Sequence, residues 1–252
     1  MGGKKVDFIV VGAQKSGTSA LHHYLLQHPE LSLSNVKEVH YFDNESEFLS
    51  EPNYDNYHKF FTEFDNNKLH GELTPIYIYW RESIRRIYEY NKKMKIIIVL
   101  RNPIHRAYSH WNMERSKDKE WLSFYEALTI ERLRLEEALP LQHRVFSYVD
   151  RGYYSKQIKN VWKYFKKENV LILRHELLKY QAPSVLSTIA GFLEISDFPN
   201  IENANVHQGD YNAPMNSESR KYLIKAFKNE IHNIEEMLHW NCKEWLLDPD
   251  DA

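Results

Sequence analysis

Val6 to Val11 (VDFIVV) is rich in apolar, β-branched residues without alternation, and it runs straight into the loop Gly12-Ala-Gln-Lys-Ser-Gly17. A strand lacking a period of two is buried on both faces, the situation of a central strand in a parallel sheet. Beyond the loop, Leu21, Tyr24 and Leu25 fall on one helical stripe, so a helix starts near Thr18 and Pro29 ends it just after His28. Strand, glycine loop and helix form one unit.

The same junction recurs. Lys95 to Leu100 (KIIIVL) is a second buried strand, followed at once by Arg101-Asn102-Pro103. Asn102 is a good helix cap, and Pro103 suits the first helical position. Val170 to Leu173 is a third, weaker strand, preceded by the amphipathic stretch Tyr153 to Phe165 and followed by His175 to Tyr180. This βα alternation predicts an α/β, P-loop-like three-layer fold, a central parallel sheet flanked by helices. Tyr54–Phe64, Trp80–Tyr90, Trp121–Glu137 and Ser217–Leu238 read as further helices, whereas Asn200 to Asn216 has little periodicity and reads as a long loop, of a kind often functional in compact domains. A length of 252 residues suits one domain, 1–252.

Composition narrows the partners. The net charge is −2, which asks for neither a nucleic-acid nor a membrane partner, so anion recognition has to be local. One cysteine, Cys242, permits no intrachain disulfide and no cysteine cluster for zinc, which suits a reducing compartment. The first apolar run is too short for a signal peptide or a membrane span, and the Met-Gly start lacks the Ser or Thr that myristoylation requires. A cytoplasmic location is expected.

Gly12 to Ser19 follows a strand and opens a helix, so its amides and the helix N-terminus make a phosphate cradle. It departs from the Walker pattern GxxxxGK[ST], because Thr18 stands where the lysine would be and Lys15 lies inside the loop. A lysine there sits over the group attached to a single 5′-phosphate rather than over a triphosphate.

DFIVVGAQKSGTSALHHYL resembles the 5′-phosphosulfate-binding loop of sulfotransferases that use 3′-phosphoadenosine 5′-phosphosulfate (PAPS), above all the heparan sulfate N- and 3-O-sulfotransferase type. IIIVLRNPIHRAYSHW, Ile96 to Trp111, is similar to that family's 3′-phosphate-binding strand and helix. KEVHYFD, Lys37 to Asp43, looks like the segment carrying its catalytic glutamate, and a weaker echo continues at Arg151-Gly-Tyr-Tyr154. The resemblance implies PAPS as co-substrate and adenosine 3′,5′-bisphosphate as product. It assigns Lys15, Ser16, Gly17, Thr18 and Ser19 to the 5′-phosphosulfate and Arg101 and Ser109 to the 3′-phosphate, and makes Glu38 the base with His40 its helper. Arg106 is left to structure.

The residues suit that chemistry. Displacement at sulfur builds negative charge on the leaving phosphate oxygen, which Lys15 can meet as a mobile cation without a metal ion. The acceptor must lose a proton; in an extended segment Glu38 and His40, two residues apart, would face one cleft. Arg101 ends a strand and Ser109 lies about two turns into the next helix, so both can converge on one anion. Two positions depart from the family pattern. Glu72-Leu-Thr-Pro75 has Leu73 where a lysine is common, and the late loop His207 to Pro214 lacks the usual basic residues, leaving His207 or Tyr211 to serve. The acceptor, a small molecule, a glycan or a carrier-bound group, is unspecified, as are O- versus N-transfer and oligomeric state. Two other classes compete: a P-loop nucleoside or small-molecule kinase, against which Thr18 speaks, and a non-catalytic PAPS-binding module, against which Glu38 speaks.

Overall fold

The structure, a computed structural model, describes residues 5–62, 64–199 and 214–247. The chain divides into two compact units, one of residues 1–100 and 160–206, the other of 101–159 and 207–252.

The first unit holds a five-stranded sheet, all of whose pairings are parallel, in the order β2-β3-β1-β4-β5. Its strands are β1 (Phe8–Gly12), β2 (Leu31–Leu33), β3 (Leu69–Leu73), β4 (Lys95–Leu100) and β5 (Val170–Arg174). In register, Phe8 lies beside Gly71 of β3 on one side and Lys95 of β4 on the other. Phe8, Val10, Ile97, Val99 and Leu173 share one core cluster with Leu21 and Leu25 of α1 (Thr18–Leu25), Leu178 of α7 (His175–Tyr180), and Val185, Leu186 and Ile189 of α8 (Ala182–Leu193). Ile9, Val11, Ile96 and Ile98 point the other way and are equally buried. Burial on both faces is why β1 and β4 read as continuous apolar runs.

Two strands were not legible. β2 has three residues, and β3 (LHGEL) is polar, yet His70, Glu72 and Leu73 are all buried. Gly71 is demanded by its neighbour, since a Cβ there would lie 2.2 Å from the Phe8 ring. The helix expected over Tyr54–Phe64 is only α2 (Tyr54–His58); beyond it Phe61 and Phe64 turn toward His70, with ring centroids 6.4 and 4.7 Å away. The expected Trp80–Tyr90 helix is α3 (Ser83–Tyr90), whose Tyr90 hydroxyl accepts a hydrogen bond from the Val6 amide at 2.9 Å.

The second unit is helical among its described residues, with α4 (Pro103–Ser116), α5 (Phe124–Glu137), the start of α6 (Tyr154–Tyr164) and α9 (Ser217–Leu238). Asn102 caps α4 by accepting from the Ile104 amide at 2.9 Å, with Pro103 at the first helical turn as the sequence predicts. Ser123 and Glu126 form a capping box at α5. Arg106 is fully buried and donates to the Tyr148 carbonyl, a structural role. Among the described residues no helix is long and apolar enough to cross a membrane.

Candidate active site

The glycine loop leaves β1 and is pinned at its start, where the Ala13 amide donates to the Val99 carbonyl at 2.8 Å and the Ser16 amide to the Ala13 carbonyl at 3.1 Å. Lys15 (φ 68°) and Gly17 (φ 87°) both take left-handed backbone, turning the chain so that Gly17 becomes the N-cap of α1. The first turn of α1 carries no acidic residue. Its open amides and dipole therefore favour an anion. Ser16 is fully buried and, among the described residues, its hydroxyl has no hydrogen-bond partner. A buried hydroxyl of this kind calls for a polar occupant. A phosphate at the loop fits these groups. His175, opening α7, stands against the loop: a Cβ on Gly17 would lie 2.6 Å from its Nδ1.

The segment from Lys37 is not the extended strand expected from the sequence. It is irregular, and Glu38 (φ 65°) and His40 (φ 56°) are both left-handed. The inside–outside alternation survives, with Val39 and Tyr41 buried, because the Glu38 amide donates to the Leu73 carbonyl at 3.0 Å and the Tyr41 amide to the Tyr77 hydroxyl at 3.0 Å. Glu38 and His40 do meet, as expected, but through backbone strain instead of strand periodicity.

A continuous polar chain results. Lys37 Nζ donates to Ser19 Oγ at 2.6 Å and lies 3.3 Å from Glu38 Oε1. Glu38 Oε2 is 3.6 Å from His40 Nε2, and His40 Nδ1 is 3.0 Å from Asp43 Oδ2. Burial pushes the Glu38 carboxyl up, but His40 and the Lys37 ammonium outweigh it, and the net displacement is downward. Glu38 is thus ionised at neutral pH. His40 is raised to about 9, first by its hydrogen bond to Asp43 and then by Glu38, against its own burial. Beneath lies Glu72, fully buried and pushed up to about 7 by burial, although Thr74 and Tyr57 donate to it. Lys37 and Asp43 were missed as functional candidates. Both stand inside the quoted segment KEVHYFD, where the family pattern drew attention to the glutamate and histidine alone.

The second unit carries the other assigned residues. Arg101 precedes the capped start of α4, whose first turn has no acidic residue, and its carbonyl accepts from the Tyr154 hydroxyl at 2.9 Å. The Arg151-to-Tyr154 echo thereby holds the Arg101 backbone. His105 is depressed to about 4 by burial and then by the charges of Arg101 and Arg220, which marks a locally cationic region. Ser109 is buried in α4. His207 and Tyr211 lie outside the described residues.

Comparison with known proteins gives the family and the fold. A family model described as a sulfotransferase domain matches residues 5–245. A Dictyostelium discoideum membrane-associated sulfotransferase, kil1, is 26% identical over 94% of this chain and 66% of its own length. A Mus musculus bifunctional heparan sulfate N-deacetylase/N-sulfotransferase is 28% identical over 92% of this chain, which spans only 30% of that relative. Among solved structures, a sulfotransferase from Alicyclobacillus acidocaldarius superposes with a TM-score of 0.83 at 26% identity, covering 96% of this chain and 99% of that one. A mouse sulfotransferase complexed with PAP shares the fold, with a TM-score of 0.59 at 14% identity over 94% of this chain and 89% of that one.

Proposed function

The chain belongs to the sulfotransferase family, and on that footing we propose that it moves the sulfuryl group of PAPS onto an acceptor hydroxyl or amine, residues 1–252 acting as one domain. The observation that carries this reading is the unbroken polar chain from the loop hydroxyl of Ser19 to the ionised Glu38. Lys15, Ser16, Gly17, Thr18 and Ser19 hold the 5′-phosphosulfate. Arg101 and Ser109 read the 3′-phosphate. The acceptor oxygen or nitrogen attacks sulfur, its proton passes to Glu38, and the bond from sulfur to the phosphate oxygen breaks with its electron pair leaving on adenosine 3′,5′-bisphosphate. Lys15 meets that growing charge, and His40, held protonated by Asp43, fixes the carboxylate that takes the proton.

The acceptor is a small molecule, glycan or carrier-bound group. We also propose the cytoplasm, on the single buried thiol Cys242; since one relative is named as membrane-associated, fractionation of expressing cells decides. Thermal melts with adenosine 3′,5′-bisphosphate, ADP and ATP test the donor, because only a ligand that binds the native state raises the melting temperature. Mass spectrometry of products from an acceptor panel tests the transfer. Glu38→Gln should leave bisphosphate binding intact while turnover falls about 10²–10⁴-fold. Lys15→Ala should weaken binding and lower turnover about 10²–10³-fold. Normal transfer by Glu38→Gln would mean that the base lies elsewhere, with His40 next.

A further inference from the structure

Leu73 stands where the related sulfotransferases commonly have a lysine, and its side chain is buried in the apolar core. The backbone shows where a replacement enters. The Leu73 carbonyl accepts from the Glu38 amide at 3.0 Å, so the segment starting at Lys37 is docked on the end of β3 beside position 73. From there Lys37 reaches Ser19 Oγ at 2.6 Å and Glu38 Oε1 at 3.3 Å. One ammonium therefore touches both a hydroxyl of the phosphate loop and the carboxylate that faces the acceptor. Its side chain is 29% exposed, wet enough to meet a substrate and covered enough to be held in place.

We propose that Lys37 is a catalytic residue, the cation that contacts the sulfuryl group as it passes from donor to acceptor. The proposal rests on the sulfotransferase reading above. In the displacement, sulfur forms its bond to the acceptor atom as its bond to the bridging phosphate oxygen breaks. The acceptor proton goes to Glu38 and the electron pair leaves with the bisphosphate. The three remaining sulfuryl oxygens carry negative charge throughout. A cation that touches both the loop and the proposed base stands between the groups assigned to donor and acceptor, where Lys37 can bind those oxygens while Lys15 attends to the phosphate. A lysine suits this task, being a compact charge on a flexible stem with three donors.

Sulfate release from PAPS, with water as acceptor, and calorimetric binding of adenosine 3′,5′-bisphosphate supply the test without a known acceptor. Lys37→Met should slow release about 10²–10³-fold. Its affinity for the bisphosphate, which has no sulfuryl group, should stay within about threefold of the unaltered protein. Lys37→Arg should recover at least about tenfold over the Met variant, since charge is the property at issue. Far-UV circular dichroism confirms that each variant is folded. Undiminished release by Lys37→Met overturns the proposal, and so does an Arg variant no faster than Met. A parallel loss of bisphosphate affinity also overturns it, because the lysine would then only be shaping the phosphate loop. If the unaltered protein neither binds the bisphosphate nor cleaves PAPS, the donor reading itself fails and takes this proposal with it.

Discussion

Replacing Asp43 by Asn removes the buried charge that holds His40 protonated, and the consequence can be followed in stability before any acceptor is known. His40 is raised from 6.5 to about 9, chiefly through the 3.0 Å contact with Asp43 and next through Glu38. At about 1.4 kcal/mol per pH unit, the full displacement corresponds to about 3 kcal/mol. The imidazole is 45% exposed, however, and solvent screening reduces this to about 1–2 kcal/mol. A histidine whose folded pKa is raised contributes stability that is complete below 6.5 and lost as the pH climbs through 9. Urea unfolding of both proteins should therefore show the Asn variant weaker by about 1–2 kcal/mol near pH 6, with the gap closing toward about pH 10. Glu72 and Glu131, both raised to about 7 by burial, lower stability as the pH rises from 4.5 through 7. Glu131 does so alike in both proteins, whereas Asp43 is itself the smallest cause of the rise at Glu72, so its loss lets Glu72 ionise more readily and narrows the gap further as the pH rises above 4.5. A gap that is constant with pH, or that widens as pH rises, would refute the assignment of Asp43 as the group that charges His40.

Three further outcomes are expected. Arg101→Ala should erase most of the preference for adenosine 3′,5′-bisphosphate over AMP, a loss of about 1.5–3 kcal/mol by calorimetry; an unchanged preference moves the 3′-phosphate elsewhere. Sulfuryl transfer should persist in EDTA, because Lys15 and the loop amides supply the charge that a metal ion would otherwise bring, whereas a rate that collapses and returns with Mg²⁺ favours the kinase reading. Gly17→Ala forces a Cβ onto a φ of 87° and to 2.6 Å from His175, so it should cost about 1–2 kcal/mol from the backbone alone and lower the melting temperature by about 2–4 °C per kcal/mol. An unshifted melt would rule out that loop geometry.

The fold was legible where one residue's environment matches its neighbours'. β1 and β4 are buried on both faces, so hydrophobicity alone marks them, and Asn102-Pro103 names the start of α4 through chemistry confined to three residues. β3 failed the same test because its polar residues are satisfied by distant partners: Tyr57 and Thr74 serve Glu72, and the Asp65 carbonyl pairs with the His70 ring at 3.1 Å. The site divides likewise. Lys15 and Glu38 are visible through motif spacing, whereas Lys37 acquires meaning only once the Leu73 carbonyl has placed it beside the loop. Leu73 looked like a lost cation. In space it is a core residue whose backbone positions another cation.

Among the described residues, six non-glycine positions adopt positive φ: Lys15, Glu38, His40, Asp118, Glu194 and His239. The last two cap the C-termini of α8 and α9, and Asp118 lies just past the C-cap of α4, where left-handed backbone is the usual way to end a helix. No helix ends at the first three. Each costs about 1–2 kcal/mol relative to ordinary backbone, so each must be held by its surroundings. For Glu38 the hold is its amide on the Leu73 carbonyl, and for His40 it is the ring against Asp43. An extended segment would have relieved both. The two left-handed steps stand on either side of buried Val39, within the polar run from Lys37 to Asp43. The strain is therefore concentrated in the segment that joins Ser19 of the glycine loop to Glu38, the two residues we propose to serve donor and acceptor.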